Sequence, residues 1–231
     1  VTVAPDRPTR REGAAIDPFA DPAAEEDLRE TTVDSRVVHR GRTISFRTDT
    51  IERPDGTRHQ REIVAHPGAV AIVALDADDR VLLVRQFRTA TGRTLLEIPA
   101  GTLEVDPTTG EIEDPDLAAA RELEEETGRR AGGWRKLGTF WTAPGFATEL
   151  MHLYLATDLT VAPEGRLGPD EDEALHLVPL PVDVAIGAAE DGRIADAKSI
   201  VGLLRLARLR DAGRQAGRPG QPTERAGRSA G

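Results

Sequence analysis

Residues 115–128 constrain this chain more than any other stretch, because both ends carry the punctuation of a helix. Asp114 can accept from the free amides of a first turn, and Pro115 suits the first helical position, where its missing N–H costs nothing. Gly128 suits the left-handed residue that closes the last turn. At about 100° per residue, Glu122, Glu125 and Glu126 stand at i, i+3 and i+4, so their carboxylates share one face. Leu123 lies on an adjacent face with Ala119 and Ala120, an apolar strip that can pack against a sheet. Like charges one turn apart cost an isolated helix a few tenths of a kcal/mol per pair. A hard divalent cation, which takes carboxylate and phosphate oxygens, is one compensation for three such charges. A solvated glutamate-rich face with salt-bridge partners is the ordinary alternative.

The segments around this helix read mostly as strands. Val37–Phe46 and Thr48–Arg53 have strand patterns, and a Pro-Asp-Gly turn at Pro54–Gly56 leads into a further strand up to about Ala65. Ala69–Leu75 is a continuous apolar run expected of a buried strand. Val81–Phe87, Thr94–Ile98, Trp134–Trp141, Leu150–Ala156 and Leu175–Val178 follow as strands. A helical spacing of Ile200, Leu203, Leu204 and Leu206 marks a helix from about Asp196 to Arg210. Neighbouring strands with a few helices predict an α+β fold, a mixed sheet sandwiched between helices and preceded by a small antiparallel β unit. The expected organisation is a disordered segment over 1–33, the β unit over 34–66, the main domain over 67–211 and a flexible tail over 212–231.

Charge limits the partners. With 40 acidic against 30 basic residues the formal net charge is −10, which disfavours a nucleic-acid backbone as ligand. A small anionic ligand then needs bridging cations, either a metal or placed arginines. The absence of cysteine excludes disulfides, thiolate nucleophiles and Cys-based zinc sites. No apolar run reaches the eighteen or so residues of a membrane span. The expected location is the cytoplasm, with no membrane partner.

The helix segment Arg121-Glu122-Leu123-Glu124-Glu125-Glu126-Thr127-Gly128, with Glu113 eight positions ahead of Arg121, resembles the Nudix box G-x5-E-x7-R-E-U-x-E-E-x-G-U, where U is a bulky apolar residue. Two positions depart from it. Pro107 stands where the box glycine is expected, and Gly101 in Ile98-Pro99-Ala100-Gly101 takes that part, with about six residues inserted in the following loop. The insertion leaves Glu111 and Glu113 as competitors for one role. Arg129 stands in the final apolar position, and Ala131 is the residue that can supply its packing. Three further stretches are similar to the ADP-ribose pyrophosphatase branch of that family: Ala143-Pro144-Gly145-Phe146, sixteen positions past Gly128; Val84-Arg85-Gln86-Phe87-Arg88; and Gly192-Arg193-Ile194-Ala195-Asp196-Ala197-Lys198.

The resemblance implies Mg²⁺-dependent hydrolysis of the pyrophosphate of ADP-ribose to AMP and ribose 5-phosphate, with Mn²⁺ as a substitute metal. It implies Glu122, Glu125 and Glu126 as metal ligands, with the carbonyl of Ala100 and the carboxylate of Glu173 added. Arg121 orients the glutamates, and Glu171, in the acidic loop Asp170–Glu173, is the expected general base, with Glu125 counted beside it as catalytic. Arg88 is expected on a phosphate, Glu149 on a ribose hydroxyl, and Pro144 and Phe146 on the substrate side. Phe46, Phe87, Phe146 and Trp141 are candidates to stack on adenine. The leading strands are similar to the small domain with which that branch forms a homodimer. The alternatives are another nucleoside diphosphate sugar or dinucleotide as substrate, or a non-catalytic ADP-ribose sensor.

Overall fold

The computed structural model describes residues 28–163 and 174–216, together with Glu26. The expectations of disorder before residue 26, of a flexible end beyond 216 and of an acidic loop at 170–173 lie outside the described residues. Among the described residues the main strands and helices follow in the order β1 (Thr31–Arg40), β2 (Ser45–Glu52), β3 (Arg58–Ala65), β4 (Ala69–Leu75), β5 (Arg80–Arg88), β6 (Arg93–Glu97), β7 (Ala100–Thr102), α1 (Pro115–Thr127), β8 (Arg129–Trp141), β9 (Leu150–Val161), β10 (His176–Pro181), α2 (Val182–Glu190) and α3 (Ala197–Ala216).

Two compact units emerge, one comprising the residues up to 40 and 46–63, the other 41–45 and the chain from Val64 onward. In the first, β1, β2 and β3 form a three-stranded sheet in that order. β1 is exposed along its whole length, while Ile51 and Asp49 on β2 are buried. The Asp49 carboxylate accepts from Ser35 Oγ at 2.7 Å and from Arg47 Nε, so its burial is compensated.

In the second unit a seven-stranded mixed sheet runs β10-β5-β4-β9-β8, with β6 beside β5 and β7 beside β4. β4 and β9 are parallel, and the other pairs are antiparallel. The apolar run of β4 is buried on both faces, and its period of two divides it cleanly. Ala69, Ala71 and Val73 face a core shared with Val182, Ala185, Ile194 and Leu203 of the α2–α3 layer. Val70, Ile72 and Ala74 face a second core with Ala118, Ala119 and Leu123 of α1. The sheet is thus covered by helices on both sides, the expected α+β sandwich.

Several boundaries differ from the sequence reading. A strand over Val37–Phe46 is not formed, because the chain turns at residues 41–44, where the Gly41 amide donates to the Ile44 carbonyl at 2.8 Å. β1 begins at Thr31, inside the stretch expected to be disordered, and α3 runs on to Ala216, past Arg210 and into the expected tail. The last strand spans His176–Pro181 rather than Leu175–Val178. On α1 the buried strip is Ala118, Ala119 and Leu123, and Ala120 is exposed. α2 was not foreseen, since its Val-Asp-Val-Ala-Ile-Gly-Ala-Ala run lacks a side-chain cap.

Candidate active site

Helix α1 is stopped at both ends as its sequence predicts. The Asp114 side chain accepts from the Asp116 amide at 2.8 Å, and Gly128 at φ 62°, ψ 30° donates its amide to the Glu124 carbonyl. A non-glycine residue pays about 1–2 kcal/mol to hold that left-handed conformation. With Leu123 fully buried on the sheet, the rotation of the helix is fixed. Glu122, Glu125 and Glu126 then point away from the Leu123 strip, toward β7, which carries Ala100 and Gly101.

Two contacts tie the helix to β7. The Ala100 amide donates to Glu126 Oε2 at 3.1 Å. Gly101 lies flat against Glu122, and a Cβ built there would fall 1.9 Å from both the carboxyl carbon and Oε1. Only glycine allows this approach. The close approach to the helix is thus made at Gly101. The inserted residues fold back on themselves: Val105 bridges Ile112, the Asp106 side chain accepts from the Thr108 and Thr109 amides, and the Glu113 amide returns to the Glu104 carbonyl. The loop absorbs the insertion and delivers Glu113 to the helix.

Arg121 holds the cluster together. Its Nε and Nη2 donate to Glu113 at 3.1 and 2.9 Å, and its Nη1 donates to Glu122 Oε1 at 2.7 Å and Glu125 Oε2 at 2.8 Å. Burial works against the guanidinium's charge, but the Glu113 hydrogen bond and the three carboxylate charges outweigh it and raise its pKa. Burial likewise pushes the Glu113 carboxyl up, and the Arg121 hydrogen bonds and the Glu104 amide overcome this and hold it below the usual carboxylate range. The competition between Glu111 and Glu113 resolves geometrically: Glu113 reaches Arg121, and Glu111 is exposed. Ala131 packs against the α1 core, as its substitute role requires, and Glu124 is turned aside into a salt bridge with Arg130.

A cavity of about 660 Å³ opens beside this cluster. Ala100, Arg121, Glu122, Glu125, Arg88 and Glu149 all line it, so the structure brings together six of the residues singled out in the sequence. Glu126 sits behind them on the Ala100 amide. Pro144 and Phe146 lie in the turn before Glu149 and do not line the cavity, and neither do Phe46, Phe87 or Trp141. Phe87, Phe146 and Trp141 are more than half exposed. Glu171 and Glu173 lie outside the described residues.

The sequence reading missed a buried ionic network on the cavity wall. Glu97, 1% exposed, accepts from Arg88 Nε and Nη2 at 2.9 and 2.8 Å and from Lys198 Nζ. Asp196 lies 3.1 Å from Lys198 and accepts from Ser199 Oγ, which in turn accepts from the Ile98 amide at 2.8 Å. Burial pushes the Glu97 carboxyl up, but Arg88 and Lys198 prevail and hold it below the carboxylate range. The network joins the start of α3 to the Glu97–Ala100 turn, and so to the floor of the site. A charged residue between Leu96 and Ile98 was the available signal. His66 and Thr142, also beside Glu149, left no signal in the sequence.

The carboxylates offer hard oxygen donors, which suits a divalent cation in kind. Among the described residues no three acidic or histidine side chains already form a cage around one point, and Arg121 bridges Glu122 and Glu125.

Comparison with known proteins decides the family. The NUDIX domain model matches residues 65–200, more than half of the chain. The chain belongs to the Nudix family. Similar to it are an ADP-ribose pyrophosphatase of Bacillus subtilis, 40% identical over 74% of this chain and 89% of that protein, and a methanol dehydrogenase activator of Bacillus methanolicus, 39% identical over 75% and 90%. Among solved structures, a crystal structure of an ADP compounds hydrolase superimposes with a TM-score of 0.67 at 27% identity, covering 80% of this chain and 97% of that one. Nudix hydrolases generally need a divalent metal.

Proposed function

We propose that this Nudix protein is a pyrophosphohydrolase that splits ADP-ribose into AMP and ribose 5-phosphate with Mg²⁺. The observation that carries the proposal is the α1 carboxylate face, locked by Arg121 and pressed against Gly101 at the rim of a cavity large enough for a nucleotide sugar. The relatives' names and the α+β sandwich support the same reading.

Glu122, Glu125 and Glu126 would hold Mg²⁺, with the Ala100 carbonyl as a further oxygen. A bound divalent ion neutralises charge on phosphate oxygens and activates water. Mn²⁺ meets the same donors. The chain's own groups do the rest. Arg121 holds Glu122 and Glu125 in register. Glu97 takes the Nε–Nη2 edge of Arg88, which leaves the Nη1 edge to reach a phosphate oxygen in the cavity. Glu149 accepts from a sugar hydroxyl. Glu171, in the acidic stretch 170–173, would take the proton of the attacking water, and Glu173 would supplement the metal set. Pro144 and Phe146 shape the turn that presents Glu149.

The test is a substrate panel with Mg²⁺: ADP-ribose, GDP-mannose and a dinucleotide, with AMP and ribose 5-phosphate identified as products. Glu125→Gln should remove turnover and leave the urea midpoint near that of the parent protein. A wild type inert toward ADP-ribose but fast on another nucleotide sugar would reassign the substrate and leave the reaction class standing. Binding without any turnover would favour a sensor.

We also propose that the protein is a homodimer. Val33, Val37 and Val38 on the wholly exposed β1 support self-association of the three-stranded sheet. Light scattering of the purified chain tests it, and a strictly monomeric mass would refute it. Among the described residues no helix is long and apolar enough to cross a membrane. We propose a cytoplasmic location.

A further inference from the structure

One wall of the cavity holds two groups that no step above uses together. His66 and Glu149 both line it. His66 follows β3, and its backbone is pinned: its amide donates to Thr148 Oγ1 at 2.9 Å, and that hydroxyl donates to the His66 carbonyl at 3.1 Å. Its ring is oriented as firmly. The Gly68 amide donates to Nδ1 at 3.0 Å, so Nδ1 is an acceptor and the ring proton of the neutral imidazole sits on Nε2. Burial lowers the His66 pKa against the opposing pull of the Glu149 charge, in keeping with that neutral form near pH 7.

Glu149 is held from the other side. Thr142 Oγ1 donates to Glu149 Oε2 at 2.5 Å, and the Thr142 amide donates to the Glu149 carbonyl at 3.2 Å. Its other oxygen, Oε1, lies 3.8 Å from His66 Nε2. That gap is too long for a hydrogen bond between the two. The side chains are 13% and 27% exposed, so bulk water reaches them only partly.

An N–H donor and a carboxylate acceptor spaced this way select the chemistry of what lies between them. A phosphate oxygen satisfies the imidazole but is repelled by the carboxylate. An ammonium satisfies the carboxylate but finds no acceptor on Nε2. A hydroxyl does both, since its oxygen accepts from Nε2 and its proton goes to Oε1. We propose that His66 is a specificity-determining residue whose Nε2–H, paired with Glu149, selects a substrate carrying a ribose hydroxyl at this wall of the cavity. This rests on the nucleotide-sugar reading above and extends it by assigning the donor half of the subsite.

The test compares wild type with His66→Asn and His66→Ala on three substrates: ADP-ribose and its two analogues lacking the 2- and 3-hydroxyls of one ribose or of the other. Asparagine keeps a side-chain acceptor for the Gly68 amide, and its own NH2 stops one bond short of the Nε2 position, so the donor is withdrawn from the cavity and a fold defect confined to His66→Ala does not obscure the result. Wild type should prefer ADP-ribose to one of the analogues. In His66→Asn that preference should shrink about tenfold, the worth of one hydrogen bond, through KM more than kcat. Equal losses on all three substrates, or an unchanged preference, would show a structural role only and overturn the inference while the activity stands. A wild type that hydrolyses ADP-ribose without distinguishing either analogue also overturns it. A wild type with no activity on ADP-ribose overturns the substrate reading and the inference together.

Discussion

Replacing Gly101 by alanine isolates the closest approach in the site. The new methyl would arrive 1.9 Å from Glu122 Oε1 and from its carboxyl carbon, and 2.3 Å from Oε2. To restore an ordinary van der Waals contact of about 3.4 Å, the carboxylate must withdraw by about 1.5 Å. The colliding atoms are the end of a flexible side chain rather than backbone, so the cost in stability stays near the low end of overpacking, about 1 kcal/mol. The functional cost is larger. Glu122 shares Arg121 Nη1 with Glu125, so moving one carboxylate disturbs the pair. A displacement of about 1 Å in a reacting assembly costs on the order of 10²-fold, or about 2.7 kcal/mol of transition-state stabilisation. Gly101→Ala should therefore lower kcat/KM for ADP-ribose by about a hundredfold and raise the Mg²⁺ concentration for half-maximal rate, with a urea midpoint close to the parent's. Steady-state rates across a Mg²⁺ titration, beside urea denaturation, give all three quantities. Wild-type kcat/KM and Mg²⁺ dependence in a folded Gly101→Ala protein would refute the claim that Gly101 is kept for Glu122.

Arg121→Ala leaves Glu113, Glu122 and Glu125 without their shared cation. The guanidinium is 21% exposed, so we expect a loss of about 2–3 kcal/mol, below the cost of breaking a fully buried pair, measured by urea denaturation. The same variant should have a flatter acid limb: the folded Glu113 carboxyl lies below its unfolded value, so its contribution is present above the unfolded pKa and is lost as pH falls through the folded one. Glu97→Ala leaves Lys198 to Asp196 alone and Arg88, whose side chain is 39% exposed, to solvent, and should cost about 2 kcal/mol at pH 7. Its deficit against wild type should narrow below the unfolded carboxylate pKa, because wild-type Glu97 is held below the ordinary range and protonates only at lower pH. Gly128→Ala should cost about 1–2 kcal/mol in thermal denaturation, from the left-handed φ of 62° alone.

Local rules carried much of this protein. The caps at Asp114 and Gly128, the period of Glu122, Glu125 and Glu126, and the apolar run at Ala69–Leu75 are statements about a few neighbouring residues, and the fold honours each. Errors arose where a local pattern was read without its surroundings. Val37–Phe46 read as one strand, but a turn at Gly41–Ile44 divides it between β1 and β2, since a strand's extent is decided by the partner it pairs with. Ala120 belongs to the same alanine run as Ala118 and Ala119, yet the sheet lies against the other two.

Sequence alone determined the helix that bears the glutamates, their common face and the family signature, because helix geometry converts spacing into direction with no outside help. It could not determine that Gly101 presses on Glu122, that Glu113 rather than Glu111 reaches Arg121, that Arg88 is half consumed by Glu97, or that His66 faces Glu149. Those pairs lie 8 to 83 positions apart along the chain, and burial, which makes each contact energetically consequential, exists only once the sheet and both helical layers have closed around them.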